Sequence, residues 1–436
     1  MLPSRRTYSL LLLGLAIAPA LAFLFPSRLA IAVLGVLLFD GMVLAIAALD
    51  SRRVNAHRVT VTRHELSRLS IGRDNLVSLT VDSTRPAVIA LYDHYPLSFT
   101  VSTMPLAATL SANSTQVLSY TVHPTHRGEY DWETLQVRQL SPWKLAWHDW
   151  NVSQPQKVAV YPDLIGLRSL SIRLTLPASG ALKRAKRLGI GTEFAELREY
   201  GIGDDPRFID WKATARRGAP LVRVLEPEQE QTLMILLDRG RLMTAHVNGL
   251  ARFDWGLNAT LALALAGLHR GDRVGVAVFD RQIHTWIPPE RGQPHLNRLI
   301  ERLTPIQPDI LEPDYLGAVT TVVNQHTRRA LVVIITDVVE QTASAELLAA
   351  LGRLAPRYLP FCVTLRDPAV DQQAHTPTDD LPSTYERAVA LDLLAQRQIA
   401  FTALKQRGVL VLDAPANQIT EELVDRYLQL KAKNQL

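Results

Sequence analysis

The chain has 436 residues, 47% of them hydrophobic, and a net charge of +5. That length predicts about three domains of ordinary size, and the composition excludes global disorder and a many-pass transporter. The charge is uneven: residues 1–190 carry 20 basic and 11 acidic side chains, the remainder 27 and 31, so the basic surplus is N-terminal and suits a membrane-proximal surface better than nucleic acid. A single cysteine, Cys362, excludes an internal disulfide framework and a cysteine-based zinc site.

Two apolar runs open the chain, Ser9–Phe25 and Leu29–Leu49, separated by Pro26, Ser27 and Arg28. As helices they reach roughly 26 and 32 Å, close to the ~30 Å hydrocarbon core. They predict a transmembrane hairpin over residues 1–50 (9–25 and 29–49). Arg5 and Arg6 precede it, and Arg52, Arg53, Arg58 and Arg63 follow it. The positive-inside bias then puts both ends, and the bulk of the chain, in the cytoplasm of a bacterial inner membrane. Cleavage after Ala20-Leu21-Ala22, as in a signal peptide, is the rival reading and leaves that side unchanged. Asp40 falls mid-span, where a charged carboxylate is costly; a protonated or helix-paired Asp fits better than a proton site.

Residues 51–165 change texture. Short runs rich in Val, Thr, Leu and Tyr (Val59–Thr62, Leu76–Val81, Val88–Tyr92, Leu97–Val101, Val117–Val122, Leu135–Leu140, Val158–Tyr161) alternate with turn clusters, the pattern of a β-sandwich-like domain. His123 and His126 sit in a turn with no further ligand nearby, so a metal site is not expected there.

Residues 166–230 are predicted as a connector. It holds a basic run, Leu182–Leu188, and a charge-dense segment, Glu193–Glu230, with nine acidic and six basic residues among Phe194, Tyr200, Phe208 and Trp211. A groove for nucleic acid would be mainly basic. Mixed charge with aromatics predicts a protein-docking surface, with Arg198, Glu199, Tyr200, Asp204, Asp205, Arg207, Asp210, Trp211, Lys212 and Arg216 as the partner-binding candidates. Asp205 and Pro206 predict the start of one helix over Arg207–Arg217, closed by Gly218, with Phe208 and Trp211 anchoring a shared face.

Residues 231–436 alternate apolar strands with helices, predicting a mostly parallel doubly wound α/β domain. Strands are expected at Thr232–Leu237, Arg273–Phe279, Arg281–Ile287 (antiparallel), Leu331–Thr336, Tyr358–Leu365 and Val409–Leu412. Ligands of such sheets bind beyond the strand C-termini, where Asp238 and Asp337 fall. With Asp314 they are weak candidates for Mg²⁺, since Arg239, Gly240, Arg241 and Leu242 supply no hydroxyl ligand; no cofactor is the expectation. No GxxxxGK[ST], HExxH or GxSxG pattern occurs, and Cys362 lies inside a predicted buried strand. No catalytic residues are assigned and the protein is not expected to be an enzyme.

With those residues laid out, the chain resembles the bacterial family known as domain of unknown function 58. The resemblance rests on Gly191-Thr192-Glu193-Phe194, Leu197-Arg198-Glu199-Tyr200, Gly203-Asp204-Asp205, Arg207, Ile209-Asp210-Trp211-Lys212 and Ala215-Arg216. His123-Pro124, Arg127-Gly128, Ser141-Pro142-Trp143 and Val160-Tyr161-Pro162 add to it. It implies that the α/β domain is von Willebrand factor A-like and that the partner is a MoxR-type AAA+ ATPase. Against the metal-binding DxSxS pattern of such domains, Asp238 matches the Asp but Gly240 and Leu242 replace both Ser. Asp337 matches the later acidic position, and no third-loop Thr is evident around Asp314. The expected function is a membrane-anchored, non-catalytic interaction or assembly factor. Two alternatives stand beside it: a divalent-metal-dependent ligand-binding protein and an envelope-associated hydrolase.

Overall fold

A computed structural model of the chain describes residues 2–24, 29–66, 68–175, 193–201, 203–226, 231–338, 345–355, 357–377 and 380–433. The basic run 182–188 and the first two signature residues, Gly191 and Thr192, lie outside the described residues. The chain divides into two compact units, Met1–Tyr161 and Pro162–Leu436.

The first unit opens with β1 (Leu2–Pro3), α1 (Arg5–Leu24) and α2 (Leu29–Arg53). Then come β2 (Thr60–Arg63), β3 (Arg68–Ser70), β4 (Asn75–Ser83), β5 (Ala87–Asp93) and β6 (Phe99–Val101). β7 (Leu106–Leu110), β8 (Ser114–Pro124), β9 (Gly128–Leu140) and β10 (Ala146–Tyr161) complete it. The strands form two sheets, ordered β1-β10-β9-β5-β7 with β3 on β10, and β2-β4-β8-β6. Alternating side chains of β4 and β5 are buried, as one-sided strands require. The sheets meet at a buried knot. Asp93 of β5 accepts from Arg63 of β2 (Nε, 3.0 Å), Tyr120 of β8 (2.7 Å) and Trp132 of β9 (3.1 Å). β10 is far longer than the expected Val158–Tyr161. Its first part is polar and half-exposed, and its register slips between Ser153 and Gln156, around Pro155, so it lacks the apolar signal of a core strand.

Among the described residues, one helical stretch, Val33–His57, is long and apolar enough to cross a membrane, with mean hydropathy 2.1 and 17% of its most apolar window buried. Its lower end is seated in the sheet. Asp50, fully buried, accepts the Trp143 backbone N–H at 3.2 and 3.3 Å, and the hydroxyl of Thr7 in α1 donates to the Leu145 carbonyl. Helices and β-strands thus lie in one compact unit, Met1–Tyr161.

The second unit begins with α3 (Leu164–Thr175), which falls in the expected connector yet buries Leu167 and Leu170 in the α/β core. β11 (Glu193–Glu199), α4 (Trp211–Arg217) and β12 (Leu221–Glu226) form a two-stranded insertion. β13 (Thr232–Asp238), β14 (His246–Val247), β15 (Leu250–Ala251), α5 (Arg252–His269), β16 (Arg273–Phe279), β17 (Ile283–Glu290), α6 (Gln293–Leu303), α7 (Tyr315–Gln325) and β18 (Leu331–Thr336) follow. Then come α8 (Ala345–Leu354), β19 (Leu359–Arg366), α9 (Pro368–His375), α10 (Leu381–Gln406), β20 (Leu410–Pro415) and α11 (Ile419–Ala432). The main sheet runs β17-β16-β13-β18-β19-β20, parallel except for edge strand β17. α3, α5, α6 and α11 cover one face, and α7, α8 and α10 the other. Every residue of β18 is buried, and each such Leu, Ile or Val contributes roughly 1.5–3 kcal/mol. This doubly wound layout places Asp238 and Asp337 at the C-terminal ends of adjacent strands.

Candidate functional site

The sheet edge is filled from within. Asp238 is buried. Its Oδ1 accepts from the Gly240 N–H at 2.7 Å, and its Oδ2 from the hydroxyls of Thr336 (2.6 Å) and Tyr315 (3.1 Å). Burial pushes its carboxyl up to about 6, against the pull of those three donors. Asp337 faces two guanidinium groups: Arg397 Nη1 lies 2.7 Å from its Oδ1, and Arg252 Nη1 lies 2.7 Å from its Oδ2. Arg397 also donates to Asp413 at 2.8 Å, which Thr364 and Arg366 reach at 2.8 and 3.2 Å. A cation at Asp337 would have to displace an arginine.

The remaining candidate ligands are committed too. Asp314 caps α7, accepting from the Gly317 N–H at 2.7 Å. Arg239 pairs with Asp280 (2.8 Å) and Asp309 (3.2 Å), and Arg241 with Glu312 (2.7 Å). Gly240 occupies the first Ser position of the DxSxS pattern for a steric reason: a Cβ there would sit 2.7 Å from the Leu311 carbonyl oxygen. Cys362 is fully buried, and burial pushes its thiol up to about 12.

The charge-dense segment folds as a ribbon whose acids are used internally. Arg198 bonds Asp204 through both terminal nitrogens, one at 2.8 Å. The Gly201 N–H and the Tyr200 hydroxyl complete that turn at 2.8 and 3.1 Å. The Arg198 hydrogen bonds hold the Asp204 carboxyl below its ordinary range. Asp205 is gripped by Arg207 (Nη2, 2.7 Å), whose hydrogen bonds lower its pKa likewise. Asp210 accepts from the Lys212 and Ala213 N–H groups at 3.1 and 3.0 Å and pairs with Arg223 at 3.2 Å. Its pKa is lowered chiefly by the Ala213 bond.

The single helix expected over Arg207–Arg217 is two elements. Asp205 caps only a 3-10 turn, Pro206–Phe208. Ile209 is extended, and Asp210 then caps α4, which Gly218 closes at φ 72°. Trp211 does not anchor this helix: it is 70% exposed. At 3.6 residues per turn, Trp211, Ala215, Lys212 and Arg216 span about 140° of α4, and all four are exposed. With Asp204, Asp205 and Asp210 each paired with an arginine, α4 presents a cationic face edged by an indole. Glu199 is exposed at the end of β11. The exposed face of α4 is therefore narrower and more basic than the mixed charge of the whole segment.

Arg252, Arg397, Tyr315, Thr336 and Arg223 have roles here that sequence reasoning did not assign. Only Thr336 and Tyr315, each beside a candidate Asp, carried a local hint.

These features define a helix pair seated on a β-sandwich, followed by a doubly wound α/β unit with a charged ribbon inserted ahead of its first strand. Residues 196–376 match the family model described as "Protein of unknown function DUF58", and the family read from the signature residues stands: the chain carries a DUF58 segment. An uncharacterized protein of Mycobacterium bovis is 26% identical over 177 residues, which cover 39% of this chain and 56% of that one, so the match spans about half the relative's length. The uncharacterized protein YeaD of Bacillus subtilis is 24% identical over 119 residues, 27% of this chain and 28% of its own. Among solved structures, BatB of Bacteroides thetaiotaomicron aligns at 15% identity and TM-score 0.32, covering 47% of this chain and 99% of that one. An aerotolerance-related membrane protein of Bacteroides fragilis aligns at 14% and 0.29, covering 45% and 99%. Scores at this level assign no fold.

Proposed function

We propose that the chain is a membrane-anchored, non-catalytic interaction or assembly factor. Both N-terminal helices cross the bacterial inner membrane, and a von Willebrand factor A-like α/β unit works on the cytoplasmic side. Its partner is a MoxR-type AAA+ ATPase, which meets the exposed face of α4. The observation that carries this reading is Trp211, 70% exposed among Lys212 and Arg216 while the neighbouring acids are bound internally. An indole flanked by cations suits an interface anchor facing an acidic, pocketed partner. The apolar stretch Val33–His57 supports the anchor. The arginines on Asp337 count against the divalent-metal reading, and the buried thiol of Cys362 counts against a hydrolase built on it.

Crosslinking from the cytosolic face, followed by mass spectrometry of captured proteins, tests the proposal. The wild-type chain should capture a AAA+ ATPase, and a Trp211→Ala/Arg216→Glu chain should lose it. Retention of every partner by that variant would refute the assigned face. A C-terminal reporter active outside the cell would refute the anchor's orientation.

A further inference from the structure

In the first unit, the ends of both helices and the turn between β9 and β10 carry cations that have no ion-pair partner among the described residues. Arg5 and Arg6 open α1, Arg52 and Arg53 close α2, and Lys144 stands in the turn between β9 and β10; all five are exposed. Among the described residues none of the five forms an ion pair. The acid nearest in sequence, Asp50, is fully buried and engaged by the Trp143 N–H. Trp143 is 50% exposed, with the Arg53 guanidinium 4.1 Å from its ring centroid, and Tyr8, in the first turns of α1, is 55% exposed. Beyond these cations the helices present Leu12, Leu13, Leu37, Leu38 and Met42 outward. Along the helices the order is therefore exposed aliphatic, then aromatic with cation, then folded β-strands. A bilayer has the same order: hydrocarbon, interface favouring Trp and Tyr, then phosphate.

We propose that this junction is a binding surface for anionic phospholipid headgroups, with Trp143 lying in the interfacial layer and Arg52, Arg53 and Lys144 on lipid phosphates. Trp143 and Lys144 come from a turn some ninety residues beyond the helix that holds it, so the surface is built by the fold and not by one juxtamembrane run. The inference rests on the proposal that α2 crosses the bilayer.

The full chain is placed in nanodiscs of phosphatidylcholine, with or without phosphatidylglycerol. A nitroxide is attached through Pro142→Cys; Cys362 is fully buried, so labelling is selective. In phosphatidylglycerol discs the label should be shielded from a water-soluble relaxation agent, relative to detergent. Lipid retained through purification, counted by mass spectrometry, should favour phosphatidylglycerol. An Arg52→Gln/Arg53→Gln chain should lose that preference by about fivefold per cation. Equal retention of both lipids by the wild-type chain, or a label as accessible in discs as in detergent, would overturn the surface. If the chain resists alkaline carbonate extraction while these tests fail, only the headgroup surface is wrong; if carbonate releases it, the anchor falls as well.

Discussion

Replacing Asp238 by Asn should stabilise the α/β unit at neutral pH and leave it unchanged in acid. Burial pushes the Asp238 carboxyl up to about 6 in the fold, against 3.8 for the ordinary side chain. Between those values the native state keeps a proton that the unfolded chain has lost, so stability falls as pH rises through the window and levels off above it. The gap corresponds to roughly 3 kcal/mol at pH 7.5, at ~1.4 kcal/mol per pH unit. Asn can keep the Gly240 N–H on its carbonyl and turn its amide toward the Tyr315 and Thr336 hydroxyls, which accept as well as donate. That is the donor and acceptor pattern of the protonated carboxyl, so the expected gain at pH 7.5 is close to that ~3 kcal/mol. Hydrogen exchange of β13 amides, read in the full-length protein in detergent, isolates this sheet from the other unit. Asp238→Asn should exchange more slowly than wild type at pH 7.5 and at the same rate at pH 4, after correction for intrinsic rates. A variant less protected at pH 7.5, or equally shifted at both pH values, would refute the account of the buried carboxylate.

Arg397→Met removes bonds to Asp337 and Asp413, which keep Arg252 and Arg366 as partners; a loss of ~1–3 kcal/mol is expected, read as a fall in the denaturation midpoint. Trp211→Ala should leave that midpoint within about 0.5 kcal/mol, because the side chain is 70% exposed, while weakening partner capture at least tenfold. Gly14→Val places a Cβ 2.5 Å from Asp40 Oδ1 and 2.7 Å from the Phe39 ring, so those side chains must shift or α1 must move away from α2. A loss of ~1–3 kcal/mol in detergent is expected, and an unchanged midpoint would show that the helices do not touch there.

The α/β sheet was legible because its strands are buried on both faces and read as unbroken apolar runs. Leu331–Thr336 matches β18 residue for residue, and the antiparallel edge at Ile283–Glu290 was expected near its place. The charged ribbon was half legible. Asp205-Pro206 is a true cap, but Asp210, a second Asp just before Trp211, is the stronger one and splits the helix. The exposure of Trp211 could not be read, since an aromatic three residues from another has the spacing of a buried face. The filling of the sheet edge was beyond local reasoning: Arg252 and Arg397 reach Asp337 from 85 and 60 residues away. The same holds for Asp93, whose partners come from three other strands.

The way α2 enters the first unit sets its mechanics. No slack chain separates the helix from the strands, since Asp50 and Thr7 are bonded directly into the turn that joins β9 and β10. A helix stepped into its base like a mast passes on tilt and torque. A pull on this sheet would thus lean the helix pair before it stretched any tether, and a change of helix tilt would turn the sheet by a similar angle.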